Sequence, residues 1–319
     1  MRIGLLSNLR AGRNARRTAR LLNFLRDYPD VVSVETTAAG AVPEALDDLA
    51  RQDVELLIVN GGDGTLTHTL TEILGRRSFG DRVPIVAPLR GGRTNMSAQD
   101  LGSHKDPVRG LADLLQAVKT GHVEDRITSR PVLKVDHGSP GESHYGMFFG
   151  VGMIYRAIQV AHENFPARKG QGVLGSTLLT ASLIARNALG DSGGVLRPDK
   201  VDLRLDGMPS PYAEFTLLIA STLDRLFAGM KPFWGTGPGA LQTTSLASDC
   251  ERIGAAAPGI WRGQPAAWVQ PETGYLSRNV DSLEMRMSCG FTIDGELFDP
   301  ENDSTVCVSA NDSVRFART

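Results

Sequence analysis

Leu56-Leu57-Ile58-Val59-Asn60-Gly61-Gly62-Asp63-Gly64-Thr65 is the stretch from which the rest of this 319-residue chain can be read. The apolar run up to Val59 predicts a buried strand, and it breaks abruptly into small and acidic residues. Glycine at 61, 62 and 64 leaves no Cβ to block a bulky anion and permits positive φ. Beyond Thr65, Leu66, Leu70, Ile73 and Leu74 have helical spacing. The turn therefore opens a helix whose free amides and dipole favour a phosphate. Asp63 sits poorly beside a phosphate unless a metal ion or acid–base chemistry accounts for it. The combination points to a nucleotide site.

On either side of this turn, strand and helix signals alternate. Strands are expected at 3–7, 31–35, 54–59 and 83–88, with helices at 14–27, 42–51, 65–74 and 108–120. Such alternation with short connections predicts an α/β domain built on a parallel sheet covered on both faces. Ligands of open sheets of this kind sit beyond the carboxyl ends of the strands. The loops after Ser7, Val59 and Pro88 all lie there, so three loops can converge on one ligand.

From about Ile127 the pattern changes. Strands are expected at 131–136, 144–150, 200–205 and 212–221, with helices near 154–164 and 175–189. Between Gly229 and Gly274 the chain is rich in Gly, Pro and Trp, which predicts turns or short strands. Four short strands follow at 282–287, 291–293, 305–309 and 313–317. This reads as residues 1–125 forming a nucleotide-binding α/β domain and residues 126–319 a mostly antiparallel, β-rich second domain.

Composition narrows the class. Apolar residues make up 41% and charged residues 22%, ordinary for a globular protein, and the net charge of −2 argues against a nucleic-acid binder. No stretch approaches the roughly 20 apolar residues of a membrane-spanning helix. Met1–Leu6 reads as a first strand rather than a signal peptide, and a cytoplasmic protein is expected. Cys250, Cys289 and Cys307 are odd in number and lack ligand-like spacing, so buried small side chains are expected rather than disulfides or zinc. Neither a P-loop ending in Gly-Lys-Ser/Thr nor a G-x-G-x-x-G fingerprint is present.

Gly61-Gly62-Asp63-Gly64-Thr65-Leu66 after an apolar strand resembles the signature of the diacylglycerol kinase catalytic domain. Sphingosine and ceramide kinases share that superfamily, with NAD kinases further away. Ser7-Asn8-Leu9-Arg10-Ala11-Gly12-Arg13 is similar to the family's first loop, Asn-Pro-x-Ser-Gly before a basic residue. Pro88-Leu89-Arg90-Gly91-Gly92-Arg93-Thr94-Asn95 is similar to its third, Pro-x-Gly-Thr-x-Asn. Ile293-Asp294-Gly295-Glu296 resembles a late Asp-Gly-Glu element facing the nucleotide, and Phe149–Met153 a Gly-x-Gly segment.

The resemblance implies an ATP- and Mg²⁺-dependent kinase phosphorylating a hydroxyl of a diacylglycerol-like or related lipid. Asn8, Gly12 and Arg13 would lie near the phosphates, with Gly62, Gly64 and Thr65 as donors. Thr36, Thr94 and Asn95 would line the nucleotide pocket. Asp63 and Asp294 would act through the metal, and Glu296, on the same strand face as Asp294, would take the acceptor's proton. A lipid acceptor implies transient contact with a membrane surface, which Arg13, Arg16, Arg17 and Arg20 on one helical face would suit, although an ordinary solvated face explains them as well. The resemblance also leaves room for a homodimer.

Blander readings stand beside these. Asp-Gly is an ordinary hairpin-turn pair, His68 is expected to be partly buried, and Trp234, Trp261 and Trp268 suit core and loop packing. Thr67-His68 replaces a frequent Asn-Glu, and Met96 a frequent Asp. Gly229–Gly235 also runs into Leu241–Ser245 without the Asp-Gly of a second-domain metal site. An NAD kinase-like enzyme and a nucleotide-binding protein without kinase activity are the alternatives.

Overall fold

The structure is a computed structural model that describes residues 1–9, 15–138, 143–164, 194–300 and 304–319. Arg10, Ala11, Gly12 and Arg13 of the first loop, and the helix expected at 175–189, lie outside the described residues, as do the side chains of Arg16 and Arg17. The chain forms two compact units. The first comprises residues 1–132, 144–146 and 312–319, and the second residues 133–143 and 147–311.

In the first unit, β1 (Ile3–Asn8), β2 (Val32–Thr36), β3 (Leu56–Gly61) and β4 (Ile85–Arg90) pair in parallel in the order β2–β1–β3–β4. Every residue of β3 is buried, as expected of a strand covered on both faces. Helices α1 (Ala15–Leu25) and α5 (Pro107–Lys119) place Leu21, Leu25, Leu111 and Leu114 against Leu5, Ile58, Ala87 and Leu89. The opening of α5 is fixed by Asp106, whose carboxylate accepts the Val108 amide at 3.0 Å, and by Pro107 in the first turn. Helix α2 (Val42–Arg51) buries Val42, Ala45, Leu46 and Leu49, a spacing of three and four residues that makes one apolar face.

The sheet gains a further strand from far along the sequence. Phe316, in the closing part of β16 (Ser304–Ala317), pairs in parallel with Val86. Ala317 joins the same core as α1 and α5, and the Thr319 carbonyl accepts the His104 amide at 2.9 Å.

The second unit is antiparallel. One sheet runs β15 (Glu296–Phe298), β14 (Phe291–Ile293), β7 (Phe148–Gly152), β10 (Glu214–Ser221), β11 (Leu241–Ala247) and β12 (Tyr275–Val280). The other joins β9 (Met208–Pro209), β8 (Asp199–Leu205), β13 (Ser282–Met287) and Ser304–Ser309 of β16. Alternate residues Val201, Leu203 and Leu205 enter a core with Phe149, Val151, Phe215 and Phe291, the period of two expected of half-buried strands.

Several elements differ from expectation. A helix, α7 (Ile253–Arg262), lies in the Gly- and Pro-rich stretch read as turns or short strands, where the strand at 241–247 agrees with that reading. The strands read at 305–309 and 313–317 are one continuous strand. The segment 144–150 is divided instead between β6 (Ser143–Gly146) and β7. Cys307 is exposed because it falls on the outward register of β16, while Cys250 and Cys289 are half-buried, and all three are free. Among the described residues no helix is long and apolar enough to cross a membrane.

Candidate functional site

The carboxyl edge of the parallel sheet is built by register. Asn8 lies beside Thr36, Ser7 beside Asn60, and Gly61 beside Arg90. The last residues of four strands therefore form one row, Thr36, Asn8, Gly61 and Arg90. Buried Asn60 donates to Ser7 Oγ at 2.8 Å, and Asn8 donates to Thr65 Oγ1 at 3.0 Å. These two bonds tie the first loop to the glycine turn, which is how residues 57 positions apart meet at one edge.

Gly62, in extended conformation, caps α3 (Asp63–Leu70), and its carbonyl accepts the Leu66 amide at 3.1 Å. The glycine requirement has a second origin beside anion approach. A Cβ on Gly92 would collide with the Gly62 backbone, and one on Gly91 would collide with the Asn60 side chain and the Gly61 amide. The second and third loops pack backbone against backbone here, which only glycine allows. Asn95 holds the third loop in shape: in the left-handed region with φ of 52°, it accepts from the Gly92 amide at 2.6 Å and donates to the Gly92 carbonyl at 2.9 Å. Thr94 beside it is exposed.

Asp63 is engaged from the third loop. Its carboxylate accepts the Met96 amide at 3.1 Å and the Ser97 amide at 2.9 Å, the first residues of α4 (Met96–Asp100). Burial pushes its pKa above the ordinary 3.8, opposed by the bonds from Ser97 and Met96. Position 96 needs only its backbone amide for this clamp, and its side chain is buried. The Thr67 hydroxyl donates to the Asp63 carbonyl at 3.0 Å, and His68 is half-buried as expected.

Asp294 belongs to the second unit. It forms with Gly295 the two-residue turn between β14 and β15, where Ile293 pairs with Glu296. Both turn residues have positive φ, 50° and 93°, the signature of a type I′ hairpin turn and the reason for Asp-Gly. The hairpin reading therefore holds, yet this turn is buried. The Asp294 carboxylate accepts the Met147 and Phe148 amides, each at 2.9 Å, and its own amide donates to the Phe148 carbonyl at 2.9 Å. Ser221 Oγ donates to the Met147 carbonyl at 2.7 Å, so this start of β7 is held on two sides. Glu296, the first residue of β15, is half-buried.

Asp63 and Asp294 thus spend their carboxylate oxygens on paired backbone amides. Each oxygen accepts one amide, which leaves a further lone pair on it, so either carboxylate can still offer oxygen to a magnesium ion while it holds its loop. Among the described residues no group of three His, Cys, Asp or Glu is gathered as if for a metal ion.

The second unit also holds a cavity of about 150 Å³, lined by Phe148, Ile154, Leu217, Ile219, Leu246, Trp261 and similar apolar groups. Among the described residues that line it, the one hydroxyl, of Thr244, bonds to the Pro232 carbonyl at 2.6 Å and to Ser277 Oγ at 2.9 Å. Trp261 is exposed, so the cavity reaches solvent at the tip of α7. Trp234 and Trp268 pack instead against the cluster around Tyr275. Sequence reasoning missed this cavity because its helix was hidden by Pro258 and the glycines. It also missed Arg90, whose place at the end of a parallel strand was a usable signal.

Residues 2–124 match the family model of the diacylglycerol kinase catalytic domain. No curated protein matches the chain. Among solved structures, a candidate diacylglycerol kinase from Bacillus anthracis str. Sterne is similar with a TM-score of 0.70 at 18% identity, covering 100% of this chain and 95% of the other. A diacylglycerol kinase from the same organism is similar with a TM-score of 0.63 at 16% identity, covering 100% and 97%. At such identities these likenesses bear on the fold, in which a parallel α/β sheet is followed by a β-rich region. The chain thus resembles the diacylglycerol kinase catalytic domain over residues 2–124 and shares the fold of solved structures described as such kinases.

Proposed function

We propose that the protein is an ATP-dependent lipid kinase that phosphorylates a hydroxyl of a diacylglycerol-like or related lipid. The observation that carries this reading is the family match over residues 2–124, with its glycine turn seated among the strand ends at a carboxyl edge. The cavity supports a lipid acceptor, because walls made of apolar side chains favour an apolar group over water.

In this reading the acceptor oxygen attacks the γ-phosphorus, the bond to the β,γ-bridging oxygen breaks, and ADP leaves. Such transfer depends mainly on positioning and on neutralising spread negative charge. Asn8, Gly62, Gly64 and Thr65 would hold the phosphates, and Thr36, Thr94 and Asn95 the rest of the nucleotide. Glu296 would take the hydroxyl proton. Asp63, which also aligns two phosphate loops, and Asp294, which also sets the Glu296 hairpin, would each act through magnesium. When bound, magnesium would neutralise the negative charge that spreads over the transferred phosphoryl group.

The decisive experiment incubates the protein with labelled ATP, magnesium and total membrane lipid, and identifies labelled products by mass spectrometry. Label in a phosphorylated lipid is the expected result. Label in NADP on adding NAD, with none in lipid, would assign an NAD kinase. Saturable ATP binding without transfer to any acceptor would leave a nucleotide-binding protein.

A further inference from the structure

Arg90 is unusual among the partly buried arginines of this chain. Arg130 pairs with Asp100 at 3.0 Å, and Arg156 with Asp199 at 2.6 Å. Arg90 is engaged by no hydrogen bond or ion pair among the described residues, and its Nε is buried without a partner. A guanidinium partly withdrawn from water, with one buried nitrogen unpartnered, is costly, and that partial burial lowers its pKa. A native fold keeps such a group where an incoming anion completes it.

The register says where that anion would sit. Arg90 is the direct neighbour of Gly61, the first glycine of the turn, and it ends the row that begins at Thr36. Thr36 Oγ1 at the far end is also buried without a partner. Three strand spacings, about 14 Å, separate the two unsatisfied groups, with Asn8 and Gly61 between them. The row has a neutral hydroxyl at one end and a forked cation at the other, and the cation is the end suited to bidentate binding of phosphate.

We propose that Arg90 binds the terminal phosphates of a nucleoside triphosphate laid along this edge. The assignment rests on the nucleotide reading above for the identity of the ligand, but not for the presence of an anion site. It also departs from the Pro-x-Gly-Thr-x-Asn form of the loop, in which no arginine appears.

The test compares wild type with Arg90→Met, Arg90→Gln and, as a control for loss of a loop charge, Arg93→Gln. Calorimetric titrations with ATP, pyrophosphate and adenosine are paired with thermal melts with and without pyrophosphate. Both Arg90 variants should lose at least tenfold in affinity for ATP and pyrophosphate while adenosine binding stays within twofold. Arg93→Gln should stay within twofold for all three. Arg90→Met should melt no lower than wild type without anion and should lose the upward shift that pyrophosphate gives wild type. ATP and pyrophosphate affinities within twofold of wild type in Arg90→Met would overturn the proposal, as would a parallel loss of adenosine binding. Wild type that binds pyrophosphate but not ATP would sink the kinase reading alone, and the pyrophosphate arm then decides Arg90.

Discussion

The glycine turn of the first unit and the Asp-Gly-Glu hairpin of the second use an aspartate in the same way and for different reasons. Asp63 opens a helix and grips the amides of Met96 and Ser97 across a seam of backbone contacts. Asp294 occupies a left-handed turn position and grips the amides of Met147 and Phe148 at the start of a strand. Asp63 is half-buried and near a loop edge, whereas Asp294 is only 9% exposed. An acidic residue in a kinase-like motif can therefore act as a backbone clamp, and how much of the fold depends on it follows from its burial.

The largest expected effect is at Asp294. Asp294→Ala strands two buried amides at about 1–3 kcal/mol each and puts alanine at positive φ. A loss of roughly 2–6 kcal/mol in urea unfolding is expected, with Asp294→Asn falling between because it keeps one acceptor and tolerates the turn. An Asp294→Ala protein as stable as wild type would break the comparison.

Two glycines sharpen it further. Gly92→Ala forces the two loops apart and should cost about 1–3 kcal/mol by overpacking. Gly295→Ala meets open space and should cost only about 1–2 kcal/mol, from its left-handed backbone. Denaturant midpoints of the two variants check the order, and Gly92→Ala should also lower nucleotide affinity more than Gly295→Ala does.

The smallest effect is a pH slope. The folded pKa of Asp63 lies above its ordinary 3.8, so between those values the folded state holds a proton that the unfolded state has released. Stability therefore falls as pH rises through that window. Asp63→Asn should flatten this segment of the stability profile, measured by chemical unfolding at a series of pH values. An unchanged slope in the variant would place the titration elsewhere.

The parallel half was legible because β1 to β4 are apolar runs separated by helical spacing, and loops after such strands must meet at one edge. The clamps were not legible, since the amides of Met96, Ser97, Met147 and Phe148 leave no mark in the side-chain sequence. The α7 helix escaped because Pro258 and flanking glycines read as breakers, whereas packing of Ala256 and Ile260 keeps it helical. The last strand was read as two because Asn311-Asp312 resembles a turn, yet pairing with neighbouring strands at each end carries the backbone straight through. Asp-Gly at 294–295 was legible as a turn, while its burial depended on partners nearly 150 positions away.

The strand that closes the first unit comes from its other end of the chain. During synthesis, residues 1–132 emerge without residues 312–319, which cover the free edge of β4 and complete its core. At roughly 5–20 residues per second that interval lasts on the order of 10–40 s. Throughout it β4 presents an unpaired edge open to association with other chains. The α/β unit is therefore a late product of translation although most of it is made first, and a fragment ending at residue 132 would carry the nucleotide loops on an unfinished sheet.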